Sequence, residues 1–264
     1  MAKTLLMIHG VGCGGEVWDV MRPVFEAAGW TCIAPTLFED QRTVQIPPAS
    51  LSDLTLNDYV EASAALCADI EAETGEKPTV IGHSMGGLIA QKLIERGAAK
   101  AGVFLTPAQP ADCQSPSLPV LFTFANIIFK PRAKAMEMGH KVWKSGFSWG
   151  VLNVVDKARH DEIYALARYD SGKVYRDLGD ANADPAKTAV IDEASFEAPT
   201  LTIGAGKDRA TPIGPVRKTA EKYKKAPVPG DYLEYPDNAH WIVDEPGTDK
   251  VSADILDWLE DKAA

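Results

Sequence analysis

Ser84 lies within VIGHSMGG, Val80 to Gly87, with a glycine two residues away on each side. A serine hydroxyl at its free pKa is a weak nucleophile. It becomes reactive when an adjacent base takes its proton and a third group orients that base. Gly82 to Gly86 spell G-x-S-x-G, the form of a nucleophile elbow, in which the serine sits on a sharp turn between a buried strand and a helix. The flanks fit this form: PTVIG (78–82) reads as a buried strand and MGGLIAQKLI (85–94) as a helix. The glycines permit the sharp turn and a close strand–helix approach. The helix N-terminus favours negative charge developing at the serine.

The sequence offers five histidines as the base. His240, in YPDNAHWIVDEPG (235–247), follows a strand-like run and precedes the last helical stretch, which allows it to reach back over a sheet edge. His83 reads as packing against the sheet beside the elbow, and His140 and His160 as solvated or capping. His9 belongs to a loop of its own. For the orienting acid the choice is Asp208, in LTIGAGKDRATP (201–212), which follows a strand by a glycine-rich turn. Asp237 and Asp244 compete, and Asp112 is the serious rival because it comes just after another strand. The order Ser84, Asp208, His240 is one of the three in which such triads occur.

An acyl-transfer site also needs donors for the oxyanion. His9-Gly10-Val11-Gly12 follows the first strand, so its loop amides can aim at a carbonyl attacked by Ser84. The N–H groups of Val11 and Met85 are the predicted donors, and losing one such donor typically costs about 100- to 1000-fold in rate. Gly10, Gly12, Trp143, Trp149 and Trp241 are the predicted substrate-binding residues.

These residues need a scaffold. Short apolar runs (4–9, 30–35, 78–82, 101–107, 198–206, 231–236) alternate with helical patterns at 16–29, 54–75, 85–97 and 251–260. The helix over 54–75 begins at Thr55 or Asn57 and stops at Gly75. Such alternation predicts an α/β fold, a mostly parallel sheet covered by helices on both faces. Residues 1–107 and 197–264 form the predicted core. Between them, 108–196 has helical spacing without strand pairs and carries Phe122, Phe124, Trp143, Phe147 and Trp149, so it reads as a helical cap insertion over the sheet.

The totals are those of a soluble globular chain: 264 residues, 45% apolar, 24% charged, net charge −10. The acidic balance argues against nucleic acid as a partner. No apolar run is long enough for a bilayer. MAKTLLMIHG reads as a strand, not a signal peptide. Four widely spaced cysteines read as free thiols in a reducing, cytoplasmic setting. No metal site or cofactor motif stands out, and the predicted partner is a small-molecule ester.

Taken together, the elbow, the HG loop and the triad order make the chain resemble the α/β-hydrolase fold over nearly its whole length, starting at the strand that carries HG. HGVGCGGEVWDVMRPVFEAAGW (9–30) is similar to the start of the plant methylesterase and hydroxynitrile lyase group. The resemblance implies a serine esterase. The lyases of that group resemble a version with threonine at the position of Gly10 and lysine at that of Trp241, the lysine stabilising departing cyanide, so this chain favours ester hydrolysis. Relatives with an aspartate nucleophile are excluded by Ser84. Lactones and thioesters suit the same apparatus. The alternatives are a small-molecule receptor on a hydrolase scaffold, and a C–C bond hydrolase or hydroxynitrile lyase.

Overall fold

An apolar run without polar alternation is stable as a strand only where both its faces are covered. The computed structural model, which describes residues 3–263 with the side chain of Arg132 excepted, places such runs in the middle of a sheet. Its strands are β1 (Thr4–Ile8), β2 (Thr31–Ile33), β3 (Thr79–His83), β4 (Ala101–Leu105), a short pair β5 (Gly139–His140) and β6 (Asp170–Ser171), then β7 (Thr200–Ala205) and β8 (Asp231–Tyr235). Every residue of β1, β3, β4 and β7 is buried, whereas β2 and β8 are partly exposed. The six-stranded sheet runs β2-β1-β3-β4-β7-β8 with every pairing parallel, so the buried strands are central and the exposed ones are edges.

The period of two in a strand divides the core into two layers. Leu5, Met7, Ile81, Val103 and Ile203 face one side, against Phe25, Ile255 and Trp258. Those last residues come from α1 (Arg22–Ala27) and α11 (Thr248–Lys262). Leu6, Ile8, Val80 and Phe104 face the other, against Tyr59, Leu88 and Tyr223. These lie on α2 (Leu56–Thr74), α3 (Met85–Glu95) and α10 (Ile213–Tyr223). Helix α2 starts at Thr55: its side chain accepts from Asp58 N and the Asp58 carboxylate accepts from Thr55 N, a reciprocal capping box. Gly75 ends it in the left-handed region, at φ 77°.

Two expectations need correction. The stretch 16–29 is not one helix but a 3₁₀ turn (Gly15–Trp18) followed by α1, with Pro23 in the first turn of α1. A proline ring lacks an N–H and fits the first turn of a helix, not its interior. The region 108–196 does hold a strand pair, since β5 and β6 lie antiparallel with Gly139 opposite Ser171. Two residues are too few to leave a periodic signal. Otherwise this region contains α4 (Leu118–Thr123), α5 (Ala125–Ile128), α6 (Arg132–Met136), α7 (Lys144–Gly150), α8 (His160–Leu166) and α9 (Gly172–Gly179). Among the described residues no helix is long and apolar enough to cross a membrane.

The tightest packing surrounds the turn from β3 into α3. A Cβ on Gly82 would stand 2.0 Å from the Gly86 carbonyl oxygen, and one on Gly86 would stand 2.1 Å from that of Ile8. Both neighbours are backbone and cannot rotate away. Gly86→Ala is therefore expected to destabilise by about 3 kcal/mol or more, read as a lower urea midpoint at unchanged slope. Gly214→Ala in α10, where an added Cβ meets nothing within 4 Å, is the control and is expected to hold or raise the midpoint. Equal midpoints for the two variants would remove the close-packing explanation.

Candidate active site

Ser84 joins β3 to α3 with φ 56° and ψ −117°, a conformation that a side-chain-bearing residue holds only under constraint. The constraint is visible: Ser84 N donates to Leu105 O at 3.1 Å, and Ala108 N donates to Ser84 O at 2.8 Å. Ser84 Oγ lies 3.0 Å from His240 Nε2, and His240 Nδ1 lies 2.8 Å from Asp208 Oδ2. All three side chains are buried. Asp208 is held in turn, its Oδ1 accepting from the Ala210 and Thr211 amides at 2.8 Å each. The Thr211 hydroxyl stands 2.7 Å from Oδ2.

The rival acids lie elsewhere. Asp112 pairs with Lys222, Asp237 with Lys207 and Asp244 with Arg159. Of the four aspartates considered, Asp208 is the one on His240.

The other histidines are more deeply committed than the sequence implied. His83 does pack beneath the site, but it also donates from Nε2 to the His240 carbonyl at 2.8 Å, which fixes His240 from below. Burial, reinforced by the neighbouring His240, pushes the His83 pKa down to about 3, so it donates as a neutral ring. The reading of His140 and His160 as solvated or capping is corrected for His140, which is buried, whereas His160 does cap the 3₁₀ turn Lys157–Arg159 although it too is buried. His140 bonds the Ala135 carbonyl at 2.7 Å, and His160 meets the Val155 carbonyl and the Ser148 hydroxyl. Ring nitrogens satisfied locally make their burial tolerable.

Across from the serine runs the loop after β1. A Cβ at Gly10 would stand 3.0 Å from Ser84 Cβ, so the loop lies directly against the elbow. Within it, Cys13 N donates to Gly10 O at 3.2 Å, and Gly12 N donates to Asp170 Oδ2 at 2.6 Å. The Val11 and Met85 amides, the two predicted donors, have no protein acceptor among the described residues. Met85 is the first residue of α3, where amides lack intrahelical partners.

The predicted aromatic contacts divide into two groups. Trp241 is buried, with its ring edge-on to His83 at 6.2 Å and to Phe147 at 5.9 Å. Trp143 and Trp149 form a separate, exposed cluster on Phe122, at 5.6 and 4.7 Å between ring centroids. Trp149 connects to the acid loop through Arg209, whose guanidinium stacks on its ring and donates to its carbonyl. Gly12 faces the Tyr175 hydroxyl, which stands 3.6 Å from where a Gly12 Cβ would be. Sequence reasoning passed over His83 as a donor, and over Thr211, Tyr175, Asp170 and Glu245. For Thr211 alone there was a local signal, in the D-x-x-T spacing that closes a turn back onto the aspartate.

Glu245 braces the histidine loop, its Oε1 accepting from Ala239 N at 2.6 Å and from Asn238 Nδ2 at 3.1 Å. Burial pushes its pKa up from 4.5 to about 7, against the lowering effect of those two bonds. A carboxyl whose folded pKa is raised binds its proton more tightly in the fold than in the unfolded chain. Its contribution to stability is therefore full below about pH 4.5 and is lost as pH rises toward 7. Glu245→Gln keeps an acceptor for Ala239 and removes the titration. By pH 8 it is expected to exceed the wild type in stability by up to about 3 kcal/mol, the gap closing near pH 4. Urea unfolding at pH 4, 6 and 8 checks this, and a gap that does not vary with pH would sink it.

With this geometry in place, comparison with known proteins adds the family. The model of the alpha/beta hydrolase family matches residues 5–252. Salicylic acid-binding protein 2 of Nicotiana tabacum is 31% identical over 111 residues, 41% of this chain and 40% of that protein. Methylesterase 8 of Arabidopsis thaliana is 30% identical over 129 residues, 48% of this chain and 45% of that protein. The chain thus matches less than half the length of these curated relatives. In three dimensions the fold is that of an Arabidopsis methylesterase, with a TM-score of 0.70 at 14% identity, covering 98% of this chain and 99% of the other. Because the family match runs from the first strand into the last helix, the chain belongs to the alpha/beta hydrolase family.

Proposed function

We propose that the protein is a serine hydrolase of carboxylic esters with small, largely apolar substrates, acting through an acyl-enzyme. One observation carries the reading: the unbroken hydrogen-bonded line from Ser84 Oγ through His240 to Asp208, with the unpartnered amides of Val11 and Met85 beside it. In this reading His240 Nε2 takes the Ser84 proton as Oγ attacks the ester carbonyl. Asp208 stabilises the imidazolium, and His240 Nδ1–H remains directed at its carboxylate. The carbonyl oxygen, now negative, receives the Val11 and Met85 N–H groups and the positive end of α3. His240 then gives its proton to the departing alcohol, and repeats the base step with water to release the acid.

Residues 108–196 are proposed to act as a cap that supplies much of the pocket. Phe147 from that segment meets Trp241, which meets His83, so an aromatic wall adjoins the histidine. That wall favours an apolar acyl or alcohol group. The methylesterase relatives, by their names, are compatible with a small ester. Gly10 and the buried Trp241 give no cation for a departing cyanide, which weighs against the lyase alternative.

Hydrolysis of p-nitrophenyl acetate, butyrate and octanoate tests the reading. The wild type is expected to turn over repeatedly at ~1 per second or faster. Ser84→Ala is expected to lose on the order of 10⁶-fold and Asp208→Asn ~10⁴-fold, with Asp112→Asn unchanged. A single stoichiometric burst would favour a receptor that reacts once, and full activity in Ser84→Ala would overturn the nucleophile assignment.

A further inference from the structure

The hydrolase reading leaves one buried polar cluster unused. Arg42 and Asp170 are both fully buried, and they pair through two bonds, Nε to Oδ1 at 2.9 Å and Nη2 to Oδ2 at 2.7 Å. Neither bonds only the other. Arg42 Nη2 donates to the Cys13 carbonyl at 2.7 Å, and Nη1 lies 3.2 Å from the Leu37 carbonyl and 3.1 Å from His9 Nε2. Asp170 Oδ2 accepts from the Gly12 amide at 2.6 Å, and Oδ1 accepts from the Tyr59 hydroxyl. Burial first, then the Asp170 charge, hold the Tyr59 pKa well above its ordinary value, so it stays a donor. His9 is held neutral, chiefly by burial and then by Arg42. It gives its Nδ1 proton to Gly10 O at 2.9 Å and accepts from Leu37 N at 3.0 Å.

Stability alone is a poor reason for such a cluster. A buried ion pair is often matched or bettered by apolar side chains of similar volume, because desolvation offsets the attraction. What the pair does uniquely is geometric. It fixes the Gly12 amide and the Cys13 carbonyl on one side of Val11, while His9 fixes Gly10 on the other. Val11, whose amide stays free, is thereby bracketed. The acidic partner comes from β6 in the 108–196 segment, so the seating of that segment and the shape of the loop depend on the same bonds.

We propose that Asp170, together with Arg42, is a positioning pair that sets the His9–Cys13 loop so that the Val11 N–H meets the oxyanion formed at Ser84, coupling the 108–196 segment to the chemical step. The inference rests on the serine-hydrolase reading. A residue of this kind acts only when the oxyanion exists, so its loss must appear in kcat and not in ground-state binding.

Three quantities test it: kcat and KM on p-nitrophenyl butyrate, inhibition by an alkyl trifluoromethyl ketone, and inhibition by the matching methyl ketone. The trifluoromethyl ketone adds Ser84 Oγ to its carbonyl carbon, the serine proton passes to His240, and the carbonyl oxygen becomes the oxyanion. The methyl ketone keeps the shape without forming the adduct readily. Asp170→Asn is expected to lower kcat and trifluoromethyl ketone affinity in parallel, each on the order of 100-fold, with KM and methyl ketone affinity within about twofold. Tyr59→Phe, which removes a single bond to Asp170, is expected to give the same pattern at about tenfold. Unchanged kcat in a folded Asp170→Asn would overturn the inference, as would equal weakening of both ketones, the mark of a damaged pocket. If Asp170→Asn does not fold, Tyr59→Phe decides by the same criteria. A wild type that neither hydrolyses the ester nor forms the adduct fails the hydrolase reading itself, and this inference falls with it.

Discussion

The backbone of Ser84 is the constraint on which the site depends. Holding a non-glycine residue at φ 56° and ψ −117° costs about 1–3 kcal/mol. The conformation persists because its surroundings leave no alternative. The serine amide is tied to Leu105 and its carbonyl to Ala108, and α3 approaches so closely that Gly82 and Gly86 have no room for a methyl group. The same approach brings Gly86 against the Ile8 carbonyl, at the end of β1. Elbow and HG loop are therefore not two independent features. One helix–strand contact sets the distance between Ser84 and the amides across from it.

A parallel sheet supplies the rest. All six strands of that sheet point one way, so their C-terminal ends share one edge, the usual place for chemistry in open α/β sheets. The HG loop follows β1, Ser84 follows β3, Asp208 follows β7 and His240 follows β8. Gly10 and His240, 230 positions apart, thereby both come against Ser84. Register does not set side-chain angles, however. Those come from a second layer of bonds: His83 to the His240 carbonyl, Glu245 to the Ala239 amide, and the turn amides on Asp208.

What was legible in the sequence follows the range of the interaction that determines it. Ser84 is announced by its immediate neighbours, because the steric demand on Gly82 and Gly86 is local. His240 and Asp208 are announced by position, since each follows an apolar run. Asp112 follows one as well, and only folding separates them: Thr211 and Ala210 turn their amides to Asp208, whereas Asp112 meets Lys222. The break between the Gly15–Trp18 turn and α1 had a local sign in Pro23 that the apolar spacing of 16–29 obscured. Arg42 and Asp170 had no sign at all. They stand 128 positions apart, each in an irregular or very short element, and no periodic pattern marks a buried pair of that kind. Likewise the burial of His140 and His160 depends on carbonyls that only the folded segment brings to their rings.

Local cost is concentrated where the strands end. Of the four non-glycine residues with positive φ among those described, Ser84 and Thr106 directly follow the neighbouring strands β3 and β4. Beside them lie a histidine kept neutral by burial and a carboxyl whose pKa burial raises to about 7. None of these arrangements would be chosen for stability. They are tolerable because the strands beneath are fully buried, and a close-packed interior resists the small shifts that would relieve the strain. Beyond its last ladder bond a strand no longer dictates φ and ψ, so the first residue outside is the nearest point at which an unusual backbone can be held firmly. Amides and charges fixed there need little rearrangement when charge develops, and that is the property an ester-cleaving site requires.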